Sequence, residues 1–187
     1  NKISQLRYGE NPHQKAALFN LNENPLIKVS GKDLSFNNIY DLEVAMELAQ
    51  QFKESSCVIL KHGNPCGVAL DKKQHMAFDK ALNCDKISAF GGIIAFNKKL
   101  ASQTAKKIKN LFIEVVIAPD FSLESKNILC KKKNLILIQY NATNRKTSHH
   151  LKTTRNFLLL QNKDNKVINK KDLTIKTKTT PSEKDQK

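Results

Sequence analysis

Lys61 and His62 stand side by side, directly after the apolar run Cys57-Val58-Ile59-Leu60. A lysine and a histidine at a strand end can divide a proton transfer and a charge-stabilisation task. The imidazole titrates near neutrality and can take a proton from a weakly nucleophilic amine. The ammonium can donate to an oxyanion developing on a carbonyl, and losing such a donor typically costs about 3–4 kcal/mol. The plainer alternative is that His62 caps a turn and Lys61 is solvated. Arg7-Tyr8 joins a planar cation to an aromatic ring, a pair suited to phosphate and heterocycle, although any loop can hold one. Gly91-Gly92 allows close backbone approach to a ligand such as a phosphate; a tight strand entry explains it equally well. His13, His75, His149 and His150 read as surface or turn residues.

His62, Cys66 and Cys84 raise the question of zinc. The zinc pattern of nucleobase deaminases needs H-x-E and P-C-x-x-C. Asn64 stands where the Glu would be, and Pro65-Cys66 is not followed by a second Cys at the required spacing. No metal is therefore expected.

The elements that must position these groups follow from periodicity. Residues 6–19 read as a loop leading into a short strand. Asn37, Asn38 and Asp41 are cap candidates for a helix running to about Phe52, with Leu42, Ala45, Leu48, Ala49 and Phe52 on one buried face. Residues 57–60 form a strand covered on both faces. Residues 61–67, with two glycines and a proline, read as a turn too broken for helix or sheet. A helix through Met76–Leu82, the Ser88–Gly92 turn and a strand over Ile93–Phe96 follow. Then come a helix over Ala101–Phe112, a strand over Val115–Ala118, a helix from Leu123 to about Lys132 and a strand over Leu135–Ile138. Such alternation argues for an α/β layered domain over residues 1–140 with helices on both sheet faces. In open α/β sheets ligands sit beyond the carboxyl ends of strands, which draws attention to Lys61-His62 and Ser88–Gly92.

Residues 141–187 differ. Residues 141–154 read as a polar linker. Phe157–Leu160, Val167-Ile168 and Leu173–Ile175 read as short strands, and a helix is expected after Pro181. Residues 1–130 carry 17 Lys/Arg against 13 Asp/Glu, and residues 131–187 carry 15 against 4. A net charge of +15 points first to nucleic acid, anionic membrane or phosphorylated ligands. Yet only Arg7, Arg145 and Arg155 are arginines, Trp is absent and aromatics are 6%. Readers of nucleic acid favour Arg and interleaved aromatics, so AT-rich coding explains the lysines more simply. A basic nucleic-acid-binding module, or an inactive α/β remnant, remains the alternative reading. Four widely spaced cysteines, no signal peptide and no apolar run near 18 residues predict a cytoplasmic chain with reduced thiols. The absence of an initiator Met suggests that an N-terminal part is missing.

Several blocks together resemble one family. Leu6–Gln14 is similar to the RYGxNPHQ opening of AICAR transformylase domains, and Gly31–Asn38 to the block after it. Lys61–Gly67 resembles the bacterial KHxNPCG motif, Ser88–Gly92 the SAFGG turn and Glu114–Pro119 the EVIIAP strand. The blocks occur in family order over residues 6–140, and Gln161–Lys178 resembles the strand region that follows.

The resemblance implies a cytidine-deaminase-like α/β/α fold without zinc. It implies transfer of a formyl group from 10-formyltetrahydrofolate to the 5-amino group of AICAR, within IMP (purine) biosynthesis. It assigns His62 as proton acceptor and Lys61 as the group stabilising the formyl oxygen. It places Arg7, Tyr8, His62, Gly91 and Glu114 against the AICAR nucleotide, with Asn64 in support. The family's second deaminase-like half and its IMP cyclohydrolase domain have no counterpart here. The resemblance therefore implies a fragment inactive alone, from a protein that is a homodimer when whole.

Overall fold

The computed structural model describes residues 2–20, 25–141, 149–164, 166 and 168–185. Two units are distinguished, Asn1–Thr143 and Asn144–Lys187.

In the first unit a six-stranded mixed sheet has the order β3-β8-β7-β6-β4-β5. Its strands are β3 (Leu26–Ser30), β4 (Ser56–Lys61), β5 (Asn64–Leu70), β6 (Ile93–Phe96), β7 (Val115–Ala118) and β8 (Ile136–Tyr140). β6, β7 and β8 run parallel, while β3, β4 and β5 each run antiparallel to the strand they join. A separate antiparallel pair, β1 (Lys2–Gln5) with β2 (Ala17–Phe19), brackets the loop bearing Arg7 and Tyr8.

Four helices among the described residues cover the sheet: α1 (Phe36–Gln50), α2 (Gln74–Cys84), α3 (Ser102–Ile108) and α4 (Leu123–Leu129). Strand alternation explains the two-sided burial. Val58, Leu60, Ile93, Ala95, Val115, Ile117, Ile136 and Ile138 pack on one face with Leu42, Ala45, Met46 and Ala49 of α1. Cys57, Ile59, Ile94, Phe96, Val116, Ala118 and Leu137 pack on the other with Phe78 and Ala81 of α2, Ile108 of α3 and Leu129 of α4. The continuous apolar runs exist because both faces of these strands are covered.

Several expectations are corrected. Residues 61–67 are not a broken turn: β4 and β5 form a tight hairpin whose two connecting residues are His62 and Gly63. Pro65 is tolerated because β5 is an edge strand and Pro65 sits at a register shift. α3 ends at Ile108 and α4 at Leu129, earlier than the periodicity predicts. Lys132 Nζ then donates to the carbonyls of Lys109 (2.9 Å) and Leu111, closing the turn after α3. Neither β1 nor β3 is visible in the pattern, because both are short and neither contains a fully buried residue.

In the second unit β9 (His149–Thr153) pairs antiparallel with β10 (Leu158–Asn162), closed by a turn in which Thr154 N donates to Phe157 O at 2.8 Å. β9 thus occupies part of the expected linker. Residues 142–148 and Val167 lie outside the described residues. Leu173–Ile175 is not a strand, and the segment after Pro181 makes a turn at Glu183–Asp185 rather than a helix. Both strands of the β9–β10 hairpin are exposed along their length, so neither has a covered face to stabilise it within the unit.

Candidate functional site

α1 starts with a reciprocal cap. Ser35 Oγ accepts from Asn38 N, and Asn38 Oδ1 accepts from Ser35 N at 3.1 Å. Asn38 is therefore a cap residue, as expected, but it does more. Its Nδ2 donates to Glu114 Oε2 at 3.0 Å, and its Oδ1 also accepts from Arg7 Nη2 at 3.5 Å. Arg7 and Glu114 are thereby linked through one buried amide. The Arg7 guanidinium lies 5.3 Å from the centroid of the Tyr8 ring. Asn37 leaves the cap and donates to Glu10 O at 3.3 Å.

Asp41 is not a cap. One turn further along α1, its carboxylate accepts from His62 N (3.0 Å) and Gly63 N (2.7 Å). His62 has φ +53° and Gly63 φ +73°, the pattern of a type I′ hairpin turn. The right-handed strand twist favours this turn; positive φ is uncommon for a residue with a Cβ, and histidine is one of the few types that adopt it more often than most. A Cβ on Gly63 would come within 2.8 Å of Tyr40 Cε1, so the exposed Tyr40 ring would have to turn aside, and the positive φ is what favours glycine here. Asn64 Nδ2 donates to His62 O at 3.0 Å, closing the apex.

Lys61 is the last residue of β4, and by strand alternation it falls on the α2 side. Its Nζ donates to Phe90 O at 2.7 Å, in the turn that leads to Gly91 and Gly92. An ammonium has three donors, so two stay free for a ligand. Gly91 has φ +72°, and its N–H donates to Phe112 O at 2.8 Å. Gly92 N donates to Ala89 O at 3.1 Å, and a Cβ there would meet Leu60 O at 2.9 Å. The glycine pair is thus a tight strand entry. Both amides are engaged internally, so no phosphate-binding pair of free N–H groups is formed.

Register brings these pieces to one rim. Leu60 pairs with Ile93, Ile93 with Val115, and Glu114 N donates to Gly92 O at 3.0 Å. Lys61, Gly91 and Glu114 therefore lie at neighbouring strand ends, with His62 and Asn64 at the hairpin apex and Arg7-Tyr8 tied on through Asn38. The rim is the carboxyl end of β4 but the amino end of parallel β6 and β7. That differs from the expectation of carboxyl ends, and the cause is the antiparallel course of β4.

Cys66 is half-buried beside this rim. Burial pushes its thiol pKa up, Asp85 and Asp41 push it further, and Lys61 opposes them. That is the reverse of an activated thiolate. Cys57 is fully buried and its thiol is pushed well up by desolvation, whereas Cys84 and Cys130 are exposed. Asp85 accepts from Ser88 N (2.9 Å) and Ile87 N (3.1 Å); hydrogen bonds from Ser88 hold its carboxyl below the usual range and brace the Ser88–Gly92 turn. Among the described residues no group of three or more His, Cys, Asp or Glu is arranged to hold a metal ion. Nor is any helix among them long and apolar enough to cross a membrane.

A shallow cleft lined by Glu54, Asp71, Lys73, His75 and Lys80 opens near Leu70, which pairs with Ser56 at the far end of the β4–β5 ladder. Its chemistry is mostly internal, since Lys80 Nζ is paired with Asp71 at 2.7 Å. Asn38 and Asp41, expected from the sequence only as caps, are the α1 side chains that reach this rim. Their signal was present: positions 38, 41, 42, 45, 46 and 49 form one buried helical stripe, and the first two are polar.

The first unit is thus a mixed α/β layered domain that carries a cationic, imidazole-bearing hairpin at one sheet rim. The family model described as AICARFT/IMPCHase bienzyme matches residues 1–187, and the chain belongs to that family. It is similar to the bifunctional purine biosynthesis protein PurH of Caldicellulosiruptor saccharolyticus, at 40% identity over 98% of this chain and 37% of that protein. The PurH of a Thermoanaerobacter species is 42% identical over 98% of this chain and 37% of its own length. That of Rhizobium leguminosarum bv. trifolii is 43% identical over 95% and 35%. The chain therefore spans a little over a third of the length of these curated relatives.

Proposed function

We propose that the chain supplies the first half of an AICAR formyl-transfer site acting in purine biosynthesis, on a cytidine-deaminase-like scaffold. The observation that carries the reading is the convergence of Lys61, His62, Asn64, Gly91, Glu114, Arg7 and Tyr8 on one rim through the bonds described above.

In this reading Arg7, Tyr8, Gly91 and Glu114 hold the AICAR nucleotide. Gly91 contacts it through its Cα or carbonyl, because its amide is engaged with Phe112. His62 accepts the proton of the 5-amino group as its nitrogen bonds to the formyl carbon. Lys61 donates to the formyl oxygen while negative charge develops there; the bond from that carbon to the folate nitrogen of 10-formyltetrahydrofolate then breaks, and the proton held by His62 passes to that leaving nitrogen to give tetrahydrofolate. The fixed contact of Lys61 with Phe90 O limits the reorganisation needed in the transition state.

The family name includes a second activity, the cyclohydrolase, to which no arrangement described above is assigned. The remaining length of the relatives supplies the folate subsite, and the assembled protein is a homodimer. The test is formyl transfer by this chain joined to, or mixed with, the remaining segment of a PurH relative. Lys61→Ala and His62→Ala should each lower turnover by about a hundredfold or more. Unchanged turnover in either variant rules out its assigned role.

A further inference from the structure

We propose that Asp41 is a positioning residue for His62, holding the imidazole-bearing residue in a left-handed conformation at the hairpin apex. The inference rests on the proposed formyl-transfer reading for its functional consequence, though not for its geometry.

Asp41 is 8% exposed and lies on the stripe of α1 that packs against the sheet, between Asn38 and the apolar Leu42 and Ala45. A carboxylate at such a position is retained only if strong partners replace water. Its partners are two successive backbone amides, at 3.0 and 2.7 Å, one for each carboxylate oxygen. Hydrogen bonds to an ionised acceptor are the stronger kind, and here they converge on one turn.

That turn needs help. Asn-Gly adopts positive φ at both central positions readily, and His62 at φ +53° tolerates it better than most residues but still sits outside the backbone regions that residues with a Cβ mostly occupy. A return of residue 62 to negative φ would swing its Cα–Cβ bond away from the present direction and move the imidazole with it. Asp41 opposes that return by requiring both N–H groups to point at it together.

Asparagine is the discriminating substitution. It keeps the shape, but one of its two terminal atoms is an NH2 donor, which would face an amide donor. Asp41→Asn should therefore lose one bond and gain a donor–donor conflict, while the packing of α1 is preserved.

The test uses the isotopically labelled chain. Cross-correlated relaxation reports the sign of φ at His62, and hydrogen exchange reports protection of the amides of residues 62 and 63. The unmodified chain should show positive φ and two protected amides. In Asp41→Asn both amides should exchange about tenfold faster or more, with mixed φ at residue 62, while amides of α1 and β4 keep their protection. AICAR nucleotide titrations add a readout that a merely structural role would not move. Asp41→Asn and His62→Ala should each weaken binding, and the double variant should bind no more weakly than His62→Ala.

Positive φ and full protection retained in Asp41→Asn would overturn the proposal, as would additive losses in the double variant. Should that variant fail to fold, unprotected amides at 62 and 63 in the unmodified chain would overturn it, and protected ones support it. If His62→Ala binds nucleotide normally while Asp41→Asn still releases the turn, the positioning stands and the formyl-transfer reading falls.

Discussion

Asn38 Nδ2 donates to Glu114 Oε2 at 3.0 Å, joining the first turn of α1 to the entry of β7 across 76 residues of chain. The same amide accepts from Arg7 and closes the cap of its own helix. One side chain therefore fixes a helix start, an acidic group and a cation at once. Asn38, itself 6% exposed, is the shared partner of the exposed Arg7 and the half-buried Glu114, and Asn38→Ala removes all of these bonds. Its unfolding free energy should fall by about 1–3 kcal/mol in a urea titration, with weaker AICAR nucleotide binding alongside. Unchanged stability would show that the three bonds are incidental.

Glycine substitutions should rank by what the added methyl meets. At Gly67 a Cβ would lie 2.0 Å from the carbonyl oxygen of Ala81, so α2 must lift from β5. Gly67→Ala should cost about 3 kcal/mol or more, or prevent folding. At Gly91 the nearest atom is a Phe112 ring carbon at 3.4 Å, and the cost is the positive φ alone. Gly91→Ala should lose only about 1–2 kcal/mol in the same measurement. The reverse order would contradict the placement of α2.

The brace of Asp85 on the Ser88–Gly92 turn carries a pH dependence. Its folded carboxyl sits below the ordinary value of 3.8, so the unfolded chain binds the proton more readily. The contribution is therefore fully present above that ordinary value and is lost as pH falls through the lower folded value. Amide signals of Ile87 and Ser88 should move together only in that acidic window, and Asp85→Asn should abolish the movement. A transition near neutrality would mean that another group holds the turn.

Thiol labelling should follow burial and pKa. Cys84 and Cys130 are exposed and react first with iodoacetamide; Cys66, half-buried with its thiol pushed up, reacts more slowly; Cys57 reacts only on unfolding. Peptide mass mapping over time gives the order. Cys66 labelled first would reveal a thiolate that its surroundings do not support.

The central strands were legible because Cys57–Leu60, Ile93–Phe96, Val115–Ala118 and Leu135–Ile138 are apolar at every position, as two-sided burial demands. The hairpin was not. Gly63, Pro65 and Gly67 read as interruptions, but Gly63 sits in a two-residue turn, Pro65 on an edge strand and Gly67 under a helix, each compatible with pairing. Direction was hidden as well. The letters around Lys61 and Glu114 are motif-like, yet only the antiparallel course of β4 puts them at one rim. The cap expectation holds for Asn38 and fails for Asp41, and in both cases it misses the distant partner, because capping is a local explanation for a polar residue near a helix start. Their partners, Glu114 and the 62–63 turn, are 76 and about 21 residues away, beyond what local spacing shows.

The most direct test is a titration of the labelled chain with AICAR nucleotide, followed by amide and side-chain NMR signals. Signals of Arg7, Tyr8, Lys61, His62, Gly91 and Glu114 should shift together with one dissociation constant, and Arg7→Ala should weaken that constant for all of them. Shifts confined to Lys73, His75 and Lys80 at the far end of β4, or no shifts at saturating nucleotide, would contradict the assignment of this rim as the binding site.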